Sequence, residues 1–203
     1  PFGRNYEEAL EMFSAQKFED QLWVGFNYRF FNGINNLIQD IKSNHFGALI
    51  SLNILMGHGG KPGYEKNWKS GSQESGGGVL INEGVHIFDL CLLIAEKDIE
   101  VKAGASFTGF WGNNFEEECH FLISSKKIPL INLQMSIVKW NSTFRIELYG
   151  ANGYGIVEGR DRSYGEQYYR RGEKWGWQSG KNQKETEEIV STEKKIDILI
   201  NNY

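Results

Sequence analysis

The sequence predicts an α+β fold: an open, mostly antiparallel sheet with helices on one face, preceded by a helix and a strand that read as half of a βαβ unit. Three observations carry this. Apolar residues recur at helical spacing twice near the start, at Tyr6, Ala9, Leu10 and Phe13 and again at Ile34, Leu37, Ile38 and Ile41. From Ala48 onward the pattern breaks into short runs, several alternating apolar with polar as in Phe144, Ile146 and Leu148, which suits strands with one face covered. Among those runs lies one longer apolar stretch, Gly78 to Ile94, that opens on glycines and can supply a covering helix.

Asn5 followed by Glu8 is a helix start of the capping-box kind. Leu22-Trp23-Val24-Gly25-Phe26 is a continuous apolar run, expected to form a strand buried on both faces in a parallel sheet. The second amphipathic helix closes in polar residues before Gly47. Strands are expected over Leu49 to Met56, Ile99 to Phe110, Glu117 to Ser124, Leu130 to Val138 and Phe144 to Tyr149, with turns at Ser125-Lys126-Lys127 and Gly150-Ala151-Asn152-Gly153. After about Gly159 the apolar spacing dissolves until Ile196 to Ile200, and Gly172 to Lys195 reads as a long solvated loop in preference to a partner-contacting arm. The chain thus divides into 1–26, 27–159 and a polar extension, 160–203, read as an incomplete part of the same domain.

The 203 residues suffice for a substantial core, and 40% hydrophobic with 24% charged residues is an ordinary globular composition. A net charge of −4 argues against a non-specific nucleic-acid binder. No run reaches the length of a membrane span; Ile87 to Ala95 is short and contains Asp89. Cys91 and Cys119 form no paired spacing, so reduced thiols in a cytoplasmic protein are the simplest account. The chain begins at Pro1 rather than methionine, and its amino end is read as a cut.

The chemistry concentrates in Gly76-Gly77-Gly78-Val79-Leu80-Ile81-Asn82-Glu83-Gly84-Val85-His86-Ile87-Phe88-Asp89. Asn82 and His86 are four apart and share a helical face, so an imidazole that can take a proton stands beside an amide that can hold a hydroxyl. The plainer reading is a core histidine with its hydrogen bonds satisfied. Glycines before the helix would let backbone or a ligand approach its free N–H groups. Asn27 and Arg29 follow the Leu22 to Phe26 run, where α/β sheets place ligand-binding residues, although a surface salt bridge would also use that arginine. The loop from Gly57 to Tyr64 lacks the ending of a phosphate-binding loop; with Lys66 and Trp68 it reads as a pocket wall or as an ordinary surface loop. His45, His58, His86 and His120 are dispersed without metal-ligand spacing, and no GxSxG elbow or GxGxxG fingerprint occurs.

From Pro1 to about Gly159 the chain resembles the substrate-binding half of a Gfo/Idh/MocA family oxidoreductase, the group that includes glucose–fructose oxidoreductase and inositol dehydrogenases. The resemblance rests on Pro1 with Tyr6-Glu7-Glu8-Ala9, on Val24-Gly25-Phe26-Asn27-Tyr28-Arg29-Phe30, and on Trp68 before Ser75-Gly76-Gly77-Gly78. Gly84-Val85-His86 with Asp89, and Glu147-Leu148-Tyr149-Gly150 with Gly153, complete it. It implies an amino-terminal Rossmann domain that binds NAD or NADP and ends in a Glu-Lys-Pro motif whose lysine helps in catalysis. Pro1 matches the end of that motif, which makes Asn5 to Phe26 a remnant of the Rossmann domain. The family's Asp-x-x-x-His pair serves the reacting hydroxyl; His86 matches its histidine, and Asn82 stands in the aspartate's place. The resemblance also implies subunit contact through an open, aromatic-rich sheet face, and return helices after the sheet; these are not evident in the sequence, so the carboxyl end is read as incomplete.

The implied function is binding of a sugar, cyclitol or nucleotide sugar in an NAD(P)-dependent oxidoreductase. In it His86 takes the hydroxyl proton, Asn82, Asn27 and Arg29 position the substrate, and Lys66 with Trp68 closes the pocket. The isolated chain is expected to bind no cofactor and to be inactive. A non-enzymatic sugar-binding or oligomerisation module is the alternative.

Overall fold

Asn5 caps the first helix, α1 (Tyr6–Ser14), as its residue type predicts: the side-chain oxygen accepts the Glu8 N–H at 2.8 Å. Glu8 does not close the box on Asn5, because its carboxylate takes the Arg4 N–H at 2.8 Å and the Arg4 guanidinium. These belong to a computed structural model that describes residues 2–18, 21–68, 72–112, 114–175 and 185–189. The apolar stripe of α1 exists but is not buried, and Phe13 remains 61% exposed. Leu22–Phe26 likewise departs from expectation: it joins no ladder among the described residues, and Trp23 is 72% exposed. An apolar run becomes a buried strand only beside a partner strand, and none lies against this one among those residues.

The second helix, α2 (Asn32–Lys42), follows a 3₁₀ turn at Asn27–Phe30 and buries Ile34 and Leu37 as its spacing predicts. The sheet then forms from β1 (Leu49–Gly57), β2 (Ile99–Phe107), β3 (Glu118–Ser125), β4 (Leu130–Ser136), β5 (Thr143–Gly150), β6 (Gly153–Glu158), β7 (Tyr168–Glu173) and β8 (Glu185–Ile189). Its order is β2-β3-β4-β1-β5-β6-β7-β8, with β1 and β4 parallel and every other neighbouring pair antiparallel. Both predicted turns are hairpins; at the first, the Ser125 N–H donates to the Ile128 carbonyl at 2.9 Å.

The fold class is as expected, but the sheet runs further than the apolar pattern indicates. β6 carries Gly153 and Gly155, and β7 reads Tyr-Tyr-Arg-Arg-Gly-Glu. β8 lies inside the stretch expected to be a solvated loop. Strands near a sheet edge gain their order from ladder bonds and need no apolar alternation, so a pattern search passes them by. Ile196 to Ile200 lies outside the described residues.

Register builds the core. Leu52, Ile54 and Met56 of β1 pair with Ile131, Leu133 and Met135 of β4 on one side and with Leu148, Ile146 and Phe144 of β5 on the other, and all are buried. Period-two alternation puts them on one face, where they join Ile34 and Leu37 of α2 and residues of the long helix in one cluster. That helix begins after a short turn, α3 (Ser72–Ser75), runs through a π-helical turn at Leu80–Gly84 and continues as α4 (Val85–Ala95). The opposite face is uncovered and polar at its centre. Asn132 donates to Asn53 at 2.8 Å, and Arg145 bridges Glu147 and Glu158. Of the aromatic side chains expected here, Tyr149 and Tyr154 pair on this face with centroids 6.0 Å apart, while many others lie in the core and in a loop cluster of Phe110, Trp111 and Trp140.

Candidate functional site

The glycine turn before the long helix admits backbone. A Cβ on Gly78 would stand 2.0 Å from the Glu116 carbonyl, and Gly76 has φ +81 with Arg4 packed against it. The Glu116 carboxylate accepts the Gly78 N–H at 3.0 Å and the Leu80 N–H at 3.2 Å, which occupies the helix start from the β2–β3 connection. The Val79 N–H donates to the Glu116 carbonyl at 2.9 Å. An anion therefore meets donors already engaged.

One π-helical turn farther on, α4 presents His86. Its ring lies face to face with Tyr28, centroids 4.5 Å apart and planes 19° apart, and meets the Phe26 ring edge-on at 6.1 Å. Tyr28 is buried from the other side by Phe31 and Phe144. Its hydroxyl reaches Met56 Sδ at 3.3 Å and accepts from Arg160 at 2.6 Å, so the site sits at the carboxyl end of β1. The Arg160 guanidinium also lies over the Tyr28 and Tyr164 rings, at 4.9 and 4.1 Å. His86 Nδ1 is buried without a hydrogen-bond partner. Burial pushes the His86 pKa below its ordinary value, opposed by the charge of Glu83 and assisted by that of Arg160. A cavity of about 200 Å³ lies beside it, lined by Phe2, Trp23, Val24, Gly25, Phe26, Val85 and His86.

The residues singled out in the sequence do not all converge. The Asn82 side-chain amide donates back to the Gly78 carbonyl at 3.2 Å. Arg29 Nε donates to buried Asp89 at 2.7 Å while Nη2 holds the other carboxylate oxygen, so the guanidinium clamps the 3₁₀ turn to α4. The salt bridge expected of Arg29 is thus present, with Asp89 of α4 as its partner. Asn27 is exposed at the first position of that turn. Lys66 ends a short 3₁₀ turn (Tyr64–Lys66) and is exposed, as is Trp68, and neither lines the His86 cavity. From the glycine loop it is His58 that turns inward: Nδ1 accepts the Gly60 N–H at 3.0 Å, and Nε2 stands 3.8 Å from Glu83 Oε1.

Tyr28, His58, Glu83 and Arg160 thus surround the site without having been singled out. Glu83 carried a signal, since residues three apart share a face as those four apart do. Arg160 carried none, being brought to Tyr28 by a contact across 132 positions. Among the described residues no group of His, Cys, Asp and Glu could hold a metal ion. Burial raises the thiol pKa of Cys91 to about 12 and of Cys119 to about 11, which leaves both unreactive as nucleophiles. A larger cavity of about 550 Å³ lies on the uncovered sheet face among Asn53, Asn132, Gln134, Arg145 and Glu147, away from His86.

The architecture has relatives. Residues 38–198 match the family model described as oxidoreductase family, C-terminal alpha/beta domain. No curated protein matches the sequence. A levoglucosan dehydrogenase in complex with NADH and levoglucosan superposes with a TM-score of 0.76 at 16% identity, covering 92% of this chain and 52% of that one. An inositol dehydrogenase homolog complexed with NAD+ from Azotobacter vinelandii gives 0.59 at 16%, over 71% and 39%. An aldose-aldose oxidoreductase from Caulobacter crescentus complexed with glycerol gives 0.65 at 16%, over 81% and 48%. The chain spans about half the length of such structures or less, and at this identity they speak to fold alone. The family-model match covers most of the sequence, and this chain belongs to the Gfo/Idh/MocA oxidoreductase family.

Proposed function

We propose that this chain is the substrate-binding portion of an NAD(P)-dependent oxidoreductase that acts on a hydroxyl of a sugar, a cyclitol or a nucleotide sugar. The observation that carries the proposal is the His86 imidazole, which lines a cavity of about 200 Å³ and whose buried Nδ1 has no partner among the described residues. Buried polar atoms of native folds find partners, and a substrate hydroxyl is one that arrives with the ligand. The lowered pKa keeps His86 neutral at physiological pH, the form able to accept that proton. Tyr28 and Phe26 fix the plane of the ring from face and edge. Arg29 acts through Asp89 as a positioning residue that holds Asn27 and Tyr28 against α4. In this reading the exposed Asn27 amide holds a second hydroxyl, Lys66 and Trp68 close over the mouth, and Asn82 braces the π-helical turn. The division into 1–26 as a remnant of the cofactor domain, 27–159 as the substrate domain and 160–203 as an extension of the latter goes with it; the pairing of β7 and β8 with that sheet supports the last.

NAD or NADP is the cofactor that family membership implies. The described residues do not fit a dinucleotide: the glycine-opened helix start that would cradle a pyrophosphate donates its N–H groups to Glu116, and the sheet is not a parallel one. We therefore assign cofactor binding to another part of the intact protein, and expect the isolated chain to bind none and to be inactive. The bound levoglucosan and glycerol of the similar structures support a polyhydroxylated substrate. The uncovered sheet face supports assembly with further copies of the chain. No described helix is long and apolar enough to cross a membrane, and free buried cysteines suit a reducing cytoplasm.

The test is turnover by the intact protein with NAD(P) over a panel of sugars, cyclitols and simple alcohols. Saturable activity confined to polyhydroxylated compounds is expected. Turnover of none of them, with no saturable binding, would contradict the proposal.

A further inference from the structure

We propose that Glu83, in place of Asn82, supplies the carboxylate of this site, holding the charge that His86 gains with a hydroxyl proton and tying His58 of the glycine loop to the same centre. This rests on the reading of His86 as the proton acceptor.

Asn82 cannot do this work. An amide carries no charge, and an N–H of this one donates to the Gly78 carbonyl. The local geometry favours its neighbour. The turn from Leu80 to Gly84 is π-helical, one residue longer per turn than an α-helix, a feature that re-aims side chains within a helix and concentrates at functional sites. Glu83 lies on it three residues before His86, and its carboxylate comes within 3.8 Å of His58 Nε2. Because His58 Nδ1 accepts the Gly60 N–H, the ring proton sits on Nε2 and faces Glu83. His58 follows directly on β1, so this approach sets the Glu83 carboxylate at the carboxyl end of that strand.

The other charges that act on His86 do not substitute for it. The chain's amino group and Arg160 disfavour an imidazolium, and Asp89 favours one but is already matched by the Arg29 guanidinium. Glu83 is thus the principal group offsetting the burial of a protonated His86.

The experiment is an NMR titration of ring-labelled histidine in this chain, comparing parent, Glu83→Gln, Glu83→Asp and Asn82→Ala. Glu83→Gln is expected to shift the His86 midpoint to lower pH, and Asn82→Ala to leave it in place. Glu83→Asp keeps the charge but withdraws it by one methylene; it shifts the midpoint less and serves as the readout if the glutamine variant does not fold. An unmoved midpoint in both Glu83 variants, or an equal shift in Asn82→Ala, overturns the assignment. The base reading fails separately: turnover unchanged by His86→Gln in the intact enzyme would remove it whatever the titration gives.

Discussion

The imidazole of His86 lies parallel to the phenol of Tyr28, 4.5 Å between centroids, and the Tyr28 hydroxyl is in turn held by Arg160 at 2.6 Å. Three segments far apart in sequence thus fix one ring. Tyr28→Phe keeps the stack and loses the bond to Arg160, which is expected to destabilise the fold by about 1–2 kcal/mol in urea denaturation. Tyr28→Ala also removes the ring and is expected to cost about 3–5 kcal/mol. Equal effects of the two would mean that the ring contact contributes nothing.

Arg29 and Asp89 make an asymmetric pair: the Arg29 side chain is 43% exposed and that of Asp89 only 6%. Removing the arginine strands a buried carboxylate, whereas removing the carboxylate leaves a guanidinium that water can reach. Arg29→Met is therefore expected to destabilise by about 2–3 kcal/mol, solvent screening at the exposed end holding it below a fully buried pair, and more than Asp89→Asn does. The reverse order in thermal unfolding would contradict the clamp.

Much of this architecture was legible in the sequence and part of it was not. The spacing of Ile34 and Leu37, the alternation through Leu52, Ile54 and Met56, and the polar turns between strands follow from rules of one to four residues, which a single chain displays. Leu22–Phe26 is uncovered among the described residues, since a continuous apolar run states only that the chain could be covered. β7 escaped notice because Tyr168 to Glu173 owes its order to pairing with β6. At the candidate site, the position of His86 on its helix is legible in the sequence, but the partners of Arg29 and Tyr28 lie 60 and 132 positions away. Such contacts are properties of the fold and leave no local periodicity.

The His86 pKa is lowered in the folded state, so the unfolded chain binds more protons between the folded value and the ordinary 6.5. Stability is therefore expected to fall as pH drops through that window and to level off below the folded value, where both states are protonated. His86→Gln removes this component. Denaturant midpoints from pH 7 downward, compared between parent and variant, read the difference directly, and parallel curves would show that burial does not perturb the imidazole.

Glu116 stands at the helix start as an acceptor for two N–H groups. Glu116→Ala should lose about 1 kcal/mol, the usual worth of a cap, without altering ligand affinity. Gly78→Ala should be far worse, as its Cβ would stand 2.0 Å from the Glu116 carbonyl. A well-folded Gly78→Ala protein with parent stability would rule out that close approach.

The most direct test is single-turnover kinetics of the intact protein with NAD(P) and its best polyhydroxylated substrate, comparing parent with His86→Ala. With His86 as proton acceptor, the chemical step should slow by about 10²–10⁴-fold while substrate affinity changes little. An unchanged rate in a folded His86→Ala protein would remove the proposed role of the residue on which the site is built.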